Sequence, residues 1–265
     1  MNLSKSNYFI GLVAMIAIGT GCAASESDAQ ESVGGTNQEI VNNLIQAGFP
    51  ADDIMEVDGV VYVGRDAAVS LEASREMLKV DDSNSKEQYR TTNLVGSSVS
   101  TICVNGSAYT GSFSTALDRA ITNYNNLGLN FSLRRTTGST SGCNATITAR
   151  ISGAAGGSSG FPSGGLPYNT INVGSSTSQY GTNVLTHVIT HEIGHTVGLR
   201  HSDYYNRSIS CGSGGNEGSA GVGAILISGT PSTATVGGSL MNSCFRSSET
   251  GNFTSTDRTA LQNVY

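Results

Sequence analysis

The chain has 265 residues, including 34 Gly and no Trp, with 37% apolar and 13% charged residues and a net charge of -6. An ordinary soluble domain carries roughly 25% charged residues, so a coiled coil or long-helix protein is excluded, and the negative balance excludes a basic nucleic-acid binder. Abundant Gly, Ser and Thr point to a loop-rich, β-rich chain of one domain or two small ones.

At the N-terminus Lys5 precedes the apolar run Tyr8–Ile18, which ends in Gly19-Thr20-Gly21-Cys22. That is the pattern of a signal peptide over residues 1–22, too short to span a membrane comfortably. Small residues before Cys22 resemble a bacterial lipoprotein signal, with Cys22 as the lipidation candidate; Gly19, where Leu is usual, leaves plain cleavage equally open. The protein is expected to be extracytoplasmic, secreted or lipid-anchored at a bacterial cell surface, touching the membrane only through that anchor.

Residues 23–36 are small and polar and read as a flexible tether. Residues 37–89 read as a small α/β prosegment: a helix with Ile40, Leu44 and Ile45, a turn at Gly48-Phe49-Pro50, a hairpin over Met55–Val63, and a helix near Leu71–Leu78. The charged linker Asp81–Gln88 is suited to proteolytic processing. Residues 23–89 hold 14 acids against four bases, whereas residues 90–265 hold six acids against nine Arg and no Lys. Charge alone does not separate a covering prosegment from a solvated spacer.

Residues 90–265 read as the catalytic domain. Thr101–Val104, Asn130–Leu133, Ala145–Ile151 and Asn169–Val173 are strand-like, Ser114–Leu127 carries apolar residues at helical spacing, and Ser152–Gly165 is a Gly-rich loop. Cys103, Cys143, Cys211 and Cys244 are an even set without CxxC spacing, which in an exported chain means disulfides. Of three pairings, Cys103–Cys143 and Cys211–Cys244 are favoured because each closes a loop within one half of the domain. Each contributes about 3–4 kcal/mol by loop closure.

Asn183–Gly198 reads as a helix containing His191-Glu192-Ile193-Gly194-His195. Residues four apart share a helix face, so His191 and His195 can ligate one ion. Gly198 ends the helix and lets His201 return as a third ligand. Three neutral imidazoles with a fourth position left for water make a catalytic zinc site, since calcium and magnesium want oxygen ligands. Zinc lowers the pKa of its water toward about 7, and Glu192 can take the proton and pass it to a leaving amine. One catalytic zinc, a protein or peptide substrate and no nucleic acid are the implied partners; calcium is left open, and the chain is expected to be a monomer.

The full pattern HExxHxxGxxH resembles the metzincin signature, whose companion is a Met in a downstream turn. Met241 is the one Met after residue 77, although ordinary core filling accounts for many Met residues. HEIGHTVGLRHSD, Gly160–Gly165 and the ending Phe253–Tyr265 look most like the bacterial dual-action HEIGH metallopeptidase family, with the matrixins second. The resemblance implies an α+β fold: a twisted mixed sheet with two helices, a Met-turn and a C-terminal helix, preceded by the small α/β prosegment. It also implies a substrate strand paired near Asn169–Val173 and a pocket wall over Asn242–Arg246. Residues 152–165 lack the His and Asp of the matrixin ion sites, and Ser243 stands where astacins and serralysins carry a Tyr ligand.

His187 reads as a packed histidine, Tyr204 and Tyr205 as packing, and Asp203 equally as a partner beneath the metal or a surface acid. No Cys lies between Cys22 and Cys103, so a cysteine switch is excluded. Gly64-Arg65-Asp66 distantly resembles the Gly-Asp element of astacin prosegments, making Asp66 the first candidate for a latency ligand and Asp58 the second. The leading expectation is a zinc endopeptidase made as a latent precursor, using water activated by Glu192. The alternative is a surface lipoprotein adhesin with a structural or vestigial metal site, which an intact Glu192 disfavours.

Overall fold

The computed structural model describes residues 26–78, 88–218, 224–231 and 233–265, with side chains described from Thr36 on. The signal peptide, Cys22 and nearly all of the Asp81–Gln88 linker lie outside the described residues. Among the described residues no helix is long and apolar enough to cross a membrane.

Helix α1 spans Glu26–Gln46, so the chain is already helical through most of the stretch expected to be a tether. Its inner end buries Ile40 and Leu44, and helix formation is cooperative, so an anchored end extends through residues of adequate propensity. Strands β1 (Met55–Val57), β2 (Val60–Val63) and β3 (Ala67–Ala68) and helix α2 (Leu71–Met77) follow. Ser70 caps α2 by accepting from the Ala73 amide at 3.1 Å. Ile40, Leu44, Phe49, Val61, Val63 and Met77 form a core of their own, closed by Phe161 from later in the chain.

Strand β4 (Tyr89–Arg90) straddles the boundary expected between residues 89 and 90 and pairs antiparallel with β10 (Ile225–Leu226). Next come β5 (Thr101–Asn105), α3 (Gly111–Asn125), β6 (Ser132–Thr136), β7 (Ala145–Ser152), β8 (Gly157–Gly160) and β9 (Thr170–Gly174). A 3-10 turn at Ser175–Tyr180 leads to α4 (Thr182–Thr196), and α5 (Ser208–Cys211) and α6 (Ser255–Val264) complete the chain. The large sheet runs β1-β2-β3-β8-β9-β7-β5-β6. Strands β6, β5, β7 and β9 are mutually parallel, whereas β8 is antiparallel to β9.

The sheet order corrects the expected substrate edge. Strand β9 is internal, and its neighbour on the side toward β3 is β8, inside the stretch read as a loop. Its Gly-Ser-Ser-Gly sequence has no apolar alternation to reveal a strand. That edge is covered by β3, which pairs parallel to it with Ala67 opposite Ser159 and Ala68 opposite Gly160.

Ile102, Val104, Ile147, Ile171 and Val173 from the sheet pack against Leu117 and Tyr124 of α3 and Leu185, Ile189 and Ile193 of α4. Every residue of α4 from Val184 to Thr196 is buried. Such a helix must satisfy its polar side chains internally: Thr186 and Thr190 donate to carbonyls one turn back at 2.8 and 2.7 Å. Disulfides join Cys103 to Cys143, tying β5 to the start of β7, and Cys211 to Cys244.

Candidate metal centre

His191 and His195 leave one face of α4 a turn apart, with Nε2 atoms 3.0 Å from each other. Gly198 then adopts φ +104°, a conformation that suits glycine, and a Cβ there would sit 2.6 Å from the Asn93 carbonyl. The turn brings His201 back until its Nε2 is 3.2 Å from that of His191. Asp66, between β2 and β3, reaches the same point: its Oδ2 is 3.1 Å from His201 Nε2 and 3.9 Å from His191 Nε2, and its Oδ1 is 3.7 Å from His195 Nε2. These four donor atoms all lie within 4.8 Å of one another. Asp58, the second latency candidate, lies in the β1–β2 turn and is not among them.

The other ring nitrogens are committed. His191 Nδ1 meets the Leu240 carbonyl at 3.0 Å, His195 Nδ1 the Leu199 carbonyl at 2.8 Å, and His201 Nδ1 the Glu217 carboxylate at 2.7 Å. A carbonyl only accepts, so His191 and His195 carry their hydrogens on Nδ1 and present bare Nε2 lone pairs. Two lone pairs 3.0 Å apart repel unless a cation joins them, and Asp66 Oδ1 is buried with no hydrogen-bond partner among the described residues. Burial opposes protonation of His201, yet Asp66 and Glu217 outweigh it and push its pKa well up. Burial pushes His195 down to about 3. The donor set therefore fits one small cation, and three imidazoles with one carboxylate suggest zinc.

Glu192 is 2% exposed, beside the cluster, and its Oε2 has no hydrogen-bond partner among the described residues. Burial, then the Asp66 charge, push its pKa well above the carboxylate range. Strand β8 leaves it room through Gly157, where a Cβ would lie 2.3 Å from Glu192 Oε1. Met241 is buried beneath α4, and a Cβ on Gly194 would lie 2.6 Å from its sulfur. The turn it occupies is held by Asp257, which accepts from the Ser239 hydroxyl at 2.6 Å and the Leu240 amide at 3.0 Å. The Leu240 carbonyl then meets His191 Nδ1, while Met241 itself fills the core beneath α4.

A cleft of about 490 Å³ adjoins the cluster, lined by Arg65, Asp66, Tyr180, His187, Glu192 and the wall Asn242–Phe245. The Cys211–Cys244 disulfide pins that wall. His187 stays outside the metal cluster, buried, with its Nδ1 3.6 Å from Glu249 Oε2, and burial takes its pKa down to about 3. Asp203 is fully buried and accepts from the hydroxyls of Ser210 at 2.6 Å and Ser243 at 2.8 Å, which removes the surface-acid reading. Tyr204 packs against Tyr89 with ring centroids 4.2 Å apart, and the Tyr205 hydroxyl accepts from the Ala234 amide. Sequence reasoning missed Glu217. Its one signal was being the sole charged residue between Ser208 and Gly238.

With this geometry established, the sequence pattern of the dual-action HEIGH metallopeptidases matches residues 61–265, a span that includes Asp66, all three histidines, Glu192 and Met241. The chain belongs to the dual-action HEIGH metallopeptidase family. Membership supports zinc-dependent peptidase activity on protein or peptide substrates. Two solved structures of myroilysin are similar to it at 17% identity. One covers 66% of this chain and 95% of that chain with a TM-score of 0.41, and the other covers 66% and 86% with a TM-score of 0.38. No curated protein matches the sequence significantly.

Proposed function

We propose that the chain is an exported, metzincin-type zinc endopeptidase made as a latent precursor, in which Asp66 fills the ligand position that substrate hydrolysis needs. The observation that carries this reading is the Asp66 carboxylate among the three Nε2 atoms, 3.1 Å from the nearest. Arg65, immediately before it, has φ +72°, an uncommon conformation for a residue with a side chain and one that marks sites held by their surroundings.

His191, His195 and His201 hold the metal, with Nδ1 partners fixing each ring. Zinc bound there supplies a Lewis acid that lowers the pKa of water to about 7. Glu192 takes the proton from the attacking water and delivers it to the leaving amine; its burial suits it to carry that proton between the two steps. With β3 gone, the edge of β8 presents backbone groups to an extended substrate, and the cleft wall over Asn242–Phe245 receives the side chain beyond the scissile bond. Tyr8–Ile18 supports export, and Cys22 is the candidate anchor.

The reading is tested by casein or gelatin cleavage with and without a chelator, beside Glu192→Ala. Loss of activity on chelation, recovery with zinc, and loss of about 10²–10⁴-fold in the mutant are expected. Chelator-resistant cleavage, or full activity of Glu192→Ala, overturns it.

A further inference from the structure

The three ligand histidines are not oriented alike. Two spend Nδ1 on backbone carbonyls, whereas His201 Nδ1 meets a carboxylate, Glu217 Oε1, at 2.7 Å. Glu217 is 2% exposed and lies in the loop after α5. The Ser243 hydroxyl, which donates to Asp203, lies 3.2 Å from the same oxygen, while Arg200 Nη2 lies 3.6 Å from Oε2 and Arg207 Nε lies 3.5 Å from Oε1. Ser243 stands two residues after Met241, so this carboxylate lies beside the Met241 turn.

Burying a carboxylate is costly unless it is paired. The two arginines are one explanation for Glu217, as a plain counter-ion. They do not explain its short contact with His201, whose Nδ1 meets no hydrogen-bond partner other than Glu217 among the described residues. A carboxylate on the outer nitrogen of a ligand histidine fixes the ring and raises its basicity, with changes there typically costing 10–100-fold in metal affinity.

We infer that Glu217 is a positioning residue for the metal centre, holding His201 through Nδ1 and so setting how tightly the metal is retained. This rests on the zinc reading above. Gly64 adds a constraint from the prosegment side. A Cβ there would lie 2.9 Å from Glu217 Oε2, and the Gly64 carbonyl accepts from Arg207 at 3.3 Å, so the segment bearing Asp66 is seated on this same carboxylate.

The test is zinc affinity, measured by equilibrium competition with a chelator on the full chain in a Glu192→Ala background that prevents self-cleavage. Glu217→Gln keeps an acceptor without charge and is expected to weaken zinc binding about 10-fold, with Glu217→Ala moving toward about 100-fold. Arg207→Gln, made beside Asp66→Ala because Arg207 also bonds the Gly64 carbonyl two residues before Asp66, removes a Glu217 partner that touches no histidine, and is expected to lower melting temperature while keeping the affinity of the Asp66→Ala chain. Melting of the zinc-free and zinc-loaded forms discriminates further. A counter-ion role lowers both equally, whereas positioning shrinks the increment that zinc confers. Unchanged zinc affinity in Glu217→Gln, or an equal loss in Arg207→Gln, overturns the proposal. A parent chain that binds no zinc overturns the metal reading and the proposal with it.

Discussion

Replacing Asp66 with Ala is the sharpest probe of latency. The side chain is 17% exposed, with one oxygen 3.1 Å from His201 Nε2 and the other without a hydrogen-bond partner among the described residues. A hydrogen bond to a charged group contributes about 1.5–3 kcal/mol, and each 1.36 kcal/mol is a factor of ten. Removing the carboxylate should therefore raise the open fraction, and with it precursor activity, about 10- to 150-fold, short of the fully processed level. The increase is capped because the β3–β8 pairing and the Arg207 bond to Gly64 remain. Initial rates on a fluorogenic peptide, with gel analysis to show that the precursor is intact, measure this. The processed enzyme of the variant should match the parent, since residues 37–89 are then absent. A mutant precursor no more active than wild type refutes Asp66 as the latency ligand.

Two further outcomes test the catalytic wall and the framework. Gly157→Ala puts a Cβ 2.3 Å from the present position of Glu192 Oε1, and a displacement of about 1 Å at a reacting group costs about 10²-fold; kcat should fall by that order while zinc content stays at the parent level, and loss of zinc instead would show a disturbed ligand set. Replacing both Cys211 and Cys244 with Ser opens a bridge spanning 33 residues, worth about 3.7 kcal/mol by loop-closure entropy and about 10 °C in melting temperature. A shift under about 2 °C in a thermal scan argues against that estimate.

Local features of the centre were legible because they depend on short-range geometry. Helical spacing puts His191 and His195 on one face, and a glycine three residues later permits the turn to His201. The helices and hairpin of residues 37–78 follow from apolar spacing in the same way. Strand β8 was hidden because Gly157–Gly160 owes its pairing to its neighbours in the sheet. Asp203 was ambiguous because a lone acid after the third histidine reads the same whether buried or exposed. Only the Ser210 and Ser243 hydroxyls that close on it decide the matter.

The sequence by itself determined the candidate ligand triad, the candidate base beside it and the disulfide candidates, since each is fixed by residue type and by separations within one element or loop. Tertiary structure decided which carboxylates attend the triad. Asp66 reaches it from 125 residues before His191 and Glu217 from 16 residues after His201, brought there by β3 docking on β8 and by the loop after α5. Chain separation carries no record of such meetings. They exist because burying three imidazoles among apolar helices and strands leaves their outer nitrogens, and the point where the inner ones converge, in need of acceptors and charge that distant segments supply.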